Sequence, residues 1–105
     1  EALIDAIQTQ SFRVILASMK LFNHITSWPK LYKLANERDC WQKVGALYDV
    51  AKLFFRVRKM PWRYLKYKAE SWQRLTQLKK TNFSGIAKKW HVYIPFNEKD
   101  MREAS

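Results

Sequence analysis

The stretch CWQKVGALYDVAKLFFRVRK, residues 40–59, carries two adjacent stripes of large apolar side chains. Their spacing is that of an α-helix, and together they cover more than half of its circumference. Such wide apolar coverage is typical of a helix buried on most sides. The first stripe consists of Trp41, Val44, Tyr48, Ala51 and Phe55, and the second of Leu47, Val50, Phe54 and Val57.

We therefore predict a central helix over about 40–59. Asp39 precedes it and is predicted to be its N-cap, with Gln42 three residues later as the capping-box partner. Gly45 would weaken a helix on its own, so its presence predicts a close crossing with another helix.

Further helices are predicted on both sides of this central one. Apolar spacing predicts a first helix over 2–26 and a second over about 29–37, opened by Pro29. A fourth helix is predicted over about 61–80, with Trp62, Leu65, Ala69, Trp72 and Leu75 facing inward, and a short fifth over about 84–90. Residues 91–96 are predicted to be extended, and the polar tail 97–105 to fray.

The composition fits this scheme. A chain of 105 residues with 48% hydrophobic residues fits one small domain, 1–105, with a core. Two glycines and three prolines are few for an all-β fold with many tight turns. We predict an all-α fold: a small bundle of four or five helices around the central helix, with a short extended C-terminal segment. No apolar run reaches the roughly 18 residues of a transmembrane segment.

Positive charge is concentrated in one third of the chain. Lys and Arg number 20 against nine Asp and Glu, a net charge of +11. Eleven of the basic residues fall between Arg56 and Lys89, where Glu70 is the only acidic residue, so this window carries 11 − 1 = +10. A block of this kind attracts polyanions.

Nucleic acid is the polyanion that this pattern favours most. Basic side chains neutralise phosphates without reading sequence, and tyrosines among them can stack on bases. The sequence thus predicts a non-enzymatic nucleic-acid-binding helical module, for RNA or DNA, with a basic, aromatic-interleaved face. The predicted contact residues are Arg56, Arg58, Lys59, Arg63, Tyr64, Lys66, Tyr67, Lys68, Arg74, Lys79, Lys80, Lys88 and Lys89.

The alternative is a basic structural accessory subunit of a large assembly, either a ribonucleoprotein or a mitochondrial complex. Its aromatic side chains would dock on protein neighbours. Anionic lipid ranks behind both as a partner, and a solvated helix face with no partner is the plainest interpretation of the charges.

The segment SGIAKKWHV, residues 84–92, is similar in its residue spacing to the first half of a helix-turn-helix. His91 stands where such a turn usually has glycine. The second half does not follow, since Asn97 and Asp100 fall where apolar residues are expected. We therefore favour a short helix that leads into a closing strand.

Nothing in the sequence indicates an enzyme, a metal site or a cofactor. His24 and His91 lack partners at metal-ligand spacing, and two glycines cannot supply a phosphate-binding loop. Cys40 is the only cysteine, which predicts a buried structural thiol and an intracellular, reducing compartment, with the nucleus or the mitochondrion as candidates.

Overall fold

The computed structural model describes residues 2–65 and 71–104. They form seven α-helices, one 3₁₀-helix and a small parallel sheet of two strands. The helices are α1 (Ala2–Gln8), α2 (Phe12–Ser18), α3 (Trp28–Glu37), α4 (Trp41–Ala51), α5 (Trp62–Leu65), α6 (Ser84–Trp90) and α7 (Glu98–Ala104). The 3₁₀-helix is Met19–His24, and the strands are β1 (Gln73–Arg74) and β2 (Val92–Tyr93).

Helix α4 lies at the centre of the molecule, as its two apolar stripes predict. All of its residues are buried except Lys43. It packs against α1, α3, α6, the 3₁₀-helix and both strands. The predicted all-α architecture around this helix, with a short extended C-terminal segment, is confirmed.

The helix is nevertheless shorter than predicted, because it ends at Ala51 rather than near residue 59. The chain then leaves the helix axis and is held by other partners. Arg58 donates its backbone N–H to the Phe22 carbonyl at 3.1 Å. Tyr48 accepts the backbone N–H of the fully buried Met60 at its hydroxyl. An extended chain places Met60 in the core where a continued helix would have carried it away.

The junction between α3 and α4 corrects the predicted N-cap. Asp39 has a positive φ of 52° and closes α3 instead of opening α4. Its N–H donates to the Asn36 carbonyl, and the Cys40 N–H donates to the Ala35 carbonyl. This pair of bonds is the Schellman motif, which satisfies the last carbonyls of a helix. Gln42 makes no capping box, since its side chain is buried against other elements.

The predicted first helix, 2–26, is divided into α1, α2 and the 3₁₀-helix. The break lies at Gln10, whose φ of 56° cannot belong to a right-handed helix. Ser11 then caps α2 by accepting the Val14 N–H at its side chain. The turn between them lets α1 fold back and pack against α2, which a single straight helix could not do.

The predicted fourth helix, 61–80, is wrong over most of its length. A single turn, α5, forms at Trp62–Leu65, and residues 71–80 are not helical. Residues 66–70, including the predicted inward Ala69, lie outside the described part of the chain. Gln73 donates its backbone N–H to the His91 carbonyl at 2.8 Å, in register with β2. Leu75 is fully buried, as the predicted stripe required, but it lies in a non-helical segment rather than on a helix.

The closing part of the chain follows the sequence more closely. Helix α6 has the predicted bounds, and His91 ends it in the left-handed region with a φ of 53°. Strand β2 follows α6 where a helix-turn-helix would have its second helix, the recognition helix. The helix-turn-helix alternative is therefore wrong. Val92, Ile94 and Phe96 are fully buried and alternate along the extended segment.

The polar tail contains more structure than expected. Residues Glu98–Ala104 form α7, where the sequence predicted fraying. Asn97 and Asp100 form a reciprocal cap: each side chain accepts the other residue's backbone N–H, at 2.8–3.0 Å. Met101 is fully buried and anchors the helix to the core, and α7 packs on α2.

Gly45 marks the close helix crossing that the sequence predicts. The fully buried indole of Trp90 lies directly on α4 at this glycine. A Cβ at position 45 would come within 2.4 Å of two carbons of the Trp90 ring. One turn further along α4, the Trp90 indole N–H donates to the buried Asp49 carboxylate at 2.6 Å.

Gly45→Ala is expected to destabilise the protein by about 1–3 kcal/mol or more, because the added methyl group overlaps a ring enclosed in the core. Gly85→Ala is the matched control: nothing lies within 4 Å of a Cβ at that exposed helical position. It should be neutral or stabilising by up to about 1 kcal/mol. Urea unfolding of both variants measures the difference. Equal effects at the two positions would refute the assigned crossing.

Candidate functional site

The structure describes ten of the thirteen predicted contact residues. Lys66, Tyr67 and Lys68 lie outside the described residues. The nine basic side chains among the ten are all exposed, whereas Tyr64 is half-buried. Arg56, Arg58 and Lys59 follow α4, Arg63 and Tyr64 lie on α5, Arg74 lies on β1, Lys79 and Lys80 precede α6, and Lys88 and Lys89 are in its last turn.

Some of these side chains already have partners. The Lys89 ammonium lies 3.5 Å from one carboxylate oxygen of Asp49. The Lys52 ammonium lies 3.0 Å from the other oxygen of the same carboxylate. Arg58 donates from its guanidinium to the Ile25 carbonyl at 2.6 Å. Both residues therefore contribute to the fold as well as to the surface charge.

Tyr64 belongs to an aromatic cluster. Its ring lies 5.0 Å from Tyr32 and 5.7 Å from the buried Trp41, measured between ring centroids. The Arg63 guanidinium lies 4.8 Å from the same ring centroid and also donates to the Tyr64 hydroxyl. The ring that was predicted to stack on a base thus already packs on protein groups.

Arg74 is the predicted residue that the structure places in a concave site. It lines a groove of about 410 Å³ together with two further cations, Arg38 and Lys43, and with Asp39 and Trp72. We call this feature the basic groove. Its remaining lining residues are Gln10, Gln73, Thr76 and Gln77.

Three separate elements meet at the basic groove. Arg38 and Asp39 come from the end of α3, Lys43 from the first turn of α4, and Trp72 and Arg74 from β1 and the residue before it. The side-chain amide of Gln73 donates to the Asp39 carbonyl at 3.1 Å and ties β1 to the α3–α4 junction. Gln42, buried beneath, donates to the Ser71 and Trp90 carbonyls, both at 2.9 Å.

The predicted inward position of Trp72 is wrong. The sequence placed it on an inward stripe, yet 40% of its surface is exposed. Its indole stacks on His91 with a centroid separation of 5.1 Å and an interplanar angle of 11°. Tyr93 lies 4.9 Å away at 33°. Strand pairing brings these three aromatic side chains together, and Trp72 also lines the basic groove.

Sequence reasoning missed Arg38, Lys43 and the exposure of Trp72. Arg38 and Lys43 lie in a segment whose local charge is nearly balanced by Glu37 and Asp39, so they did not stand out. Their proximity to Arg74 depends on the pairing of β1 with β2, which is a non-local contact. The positive φ of Asp39 marks the turn between α3 and α4, and Arg38 and Lys43 lie on either side of that turn.

Two other concave regions have lining residues that are less suited to bind a polyanion. One is lined by Glu98, Lys99, Arg102 and Glu103 of α7 alone, and its charges balance. The second lies against α2 and is lined by Arg13, Leu16, Ala17, Lys20 and Ala104. Neither combines excess charge with an exposed aromatic ring, so the basic groove is the better candidate.

Within residues 2–65 and 71–104, no group of His, Cys, Asp or Glu side chains could hold a metal ion. No helix formed by these residues is long and apolar enough to cross a membrane. Comparison with protein-family models, with curated proteins and with solved structures finds no match to this chain. The physical properties of the site are therefore the basis for a proposal about function.

Cys40 is buried, as predicted, at the junction between α3 and α4. Burial raises the pKa of its thiol, and the nearby charges of Lys43 and Arg38 oppose that rise only in part. A thiol with a raised pKa is a weak nucleophile at neutral pH.

We expect Cys40 in the folded protein to react with Ellman's reagent far more slowly than in urea. Because the pKa is raised on folding, the unfolded chain loses this proton first as the pH rises. The thiol's contribution to stability is therefore present at neutral pH and is lost in the alkaline range. Urea unfolding across this range should show a smaller alkaline loss for Cys40→Ala than for the wild type. Rapid modification of the folded protein would contradict the assignment.

Proposed function

We propose that this protein is a non-enzymatic nucleic-acid-binding module that neutralises phosphates with its exposed basic surface. The observation that carries the proposal is the excess of exposed cations. Among the described residues, acidic groups pair with Lys52, Lys89 and Arg102. Arg56, Lys59, Arg74, Lys79, Lys80 and Lys88 are exposed, and none of them forms an ion pair within this part of the chain.

Cations without carboxylate partners can each take a phosphate and release its condensed counterions. A structural role for the charges would favour pairing them, because paired charges avoid mutual repulsion. The +11 net charge and the exposure of these side chains support polyanion binding over a solvated surface.

The basic groove is the part of this surface best suited to hold a ligand. It is concave, it comprises three cations against one carboxylate, and the hydrogen bond from Gln73 to the Asp39 carbonyl joins two of its walls. A preformed site loses less conformational entropy on binding than flexible lysines do. We therefore place the centre of the interface at Arg38, Lys43 and Arg74, with the segment after α4 as a flank.

The accessory-subunit alternative also has an observation in its favour. Leu53 and Trp62 are 57% and 63% exposed, more than large apolar side chains usually are in a core-forming position. Such side chains serve as anchors at protein interfaces. The two functions differ in their salt dependence, which is steep for phosphate binding and shallow for apolar docking.

Lys43→Glu with Arg74→Glu should weaken binding to RNA and DNA and flatten its salt dependence. For each phosphate that the variant no longer neutralises, the log–log slope should fall by about 0.7 on single strands and about 0.9 on duplexes. Fluorescence anisotropy of labelled oligonucleotides across a salt series measures both quantities. Arg56→Glu with Lys59→Glu tests the segment after α4 by the same two measurements, affinity and salt slope.

Lys20→Glu with Lys99→Glu is the control, because it changes the net charge equally at exposed positions outside the groove. Circular dichroism confirms that each variant stays helical. If the control loses as much affinity as the groove variant, only net charge matters and the groove has no special role. If the wild type binds no nucleic acid, the accessory-subunit function replaces this one.

A further inference from the structure

We infer that the basic groove binds an unpaired nucleotide of a single strand, whose base stacks on Trp72 while Arg38, Lys43 and Arg74 hold the adjacent phosphates. This inference rests on the proposed function and specifies the form of nucleic acid and the residue that selects it.

The first reason is the placement of Trp72. The Trp72 indole is 40% exposed at a concave, positively charged site, so a ligand that covered it would gain free energy from the apolar area buried. Its stacking on His91 and its contact with Tyr93 hold the ring in place. A ring held in this way loses little freedom when a base packs against its exposed part.

The second reason is the geometry of the charges around that ring. Arg74 lies two residues from Trp72, and Arg38 and Lys43 line the same groove from the end of α3 and the first turn of α4. A nucleotide in a single strand offers matching groups: a flat aromatic base that projects from a backbone with an anionic phosphate on either side. The size of the groove, about 410 Å³, is of the order of a small ligand site.

The third reason distinguishes single strands from duplexes. In a duplex, the faces of the bases are covered by their neighbours, and only phosphates and groove edges are open to a protein. An aromatic side chain inside a concave site can contribute only if the base has left its stack. The polar amides of Gln10 and Gln77 at the same site could bond base edges, which are also free in a single strand.

Trp62 provides the matched comparison. It is also exposed, at 63%, but it does not line the basic groove. Trp28, Trp41 and Trp90 are buried, so Trp62 and Trp72 are the two exposed tryptophans of the chain. A role for exposed aromatics in general would involve both residues, whereas a nucleotide site in the groove involves Trp72.

The experiment measures the affinity of labelled RNA and DNA of one sequence, each as a single strand and as a duplex. We expect Trp72→Ala to weaken binding of single strands about 5- to 150-fold, the range for one stacked base. Duplex binding should change less than about twofold, and so should both affinities in Trp62→Ala. The salt slope of Trp72→Ala should match that of the wild type, because every cation that binds a phosphate is still present.

Two further variants separate stacking from support of the fold. Trp72→Phe keeps an aromatic face and should retain most of the single-strand affinity, whereas Trp72→Leu keeps apolar bulk without that face and should resemble Trp72→Ala. Unfolding in urea shows whether the variants are equally folded. In Trp62→Phe, the remaining exposed tryptophan is Trp72, and single strands should quench its fluorescence more than duplexes do.

The inference is overturned if Trp72→Ala binds single strands as the wild type does, or if it loses single strands and duplexes equally. Either result leaves phosphate binding by the basic surface intact. A wild-type protein without measurable affinity for any of the four oligonucleotides overturns the proposed function as well. The comparison of RNA with DNA shows whether the sugar matters for the same site.

Discussion

The contact between the Trp90 indole and α4 is the interaction on which the rest of the structure depends. The ring occupies the space that a side chain at Gly45 would need, and its N–H is bonded to Asp49 one turn away. Asp49 is 97% shielded from solvent, and a buried carboxylate is costly unless its charge is balanced. Lys52 and Lys89 provide that balance at the protein surface. Shape and charge together thus fix α6 against α4 in a single position.

The position of the basic groove follows from this contact. Gln42 lies on the same face of α4 and binds the Trp90 carbonyl, where α6 ends, and the Ser71 carbonyl, where the described chain resumes. With α6 fixed, β2 is fixed, and β1 pairs with it so that Trp72 stacks on His91. The same α4 presents Lys43 from its first turn. Part of the groove lining is therefore attached to the core contact through Gln42 and the paired strands.

Local patterns predicted the parts of the fold that local interactions determine. The stripes of α4, the crossing at Gly45 and the bounds of α6 could be predicted because helical spacing and glycine placement reflect burial directly. Residues 61–80 could not, since Trp62, Leu65 and Leu75 fit a helical stripe although β1 pairs with a strand far along the chain. The positive charge of the site was visible in the sequence. Its geometry was not, because Arg38 and Lys43 reach Arg74 through that same non-local pairing.

The charge distribution links stability to the proposed function. Surplus exposed cations repel one another and lower the free energy of unfolding of the isolated protein. The fold uses Lys52 and Lys89 to neutralise its buried carboxylate and leaves Arg38, Lys43 and Arg74 around a groove with a single acidic side chain, Asp39. A bound polyanion would relieve that repulsion and bind only where the groove is assembled, so binding and folding would stabilise each other. The cost of the surplus charge in the free protein then becomes part of the affinity for the partner.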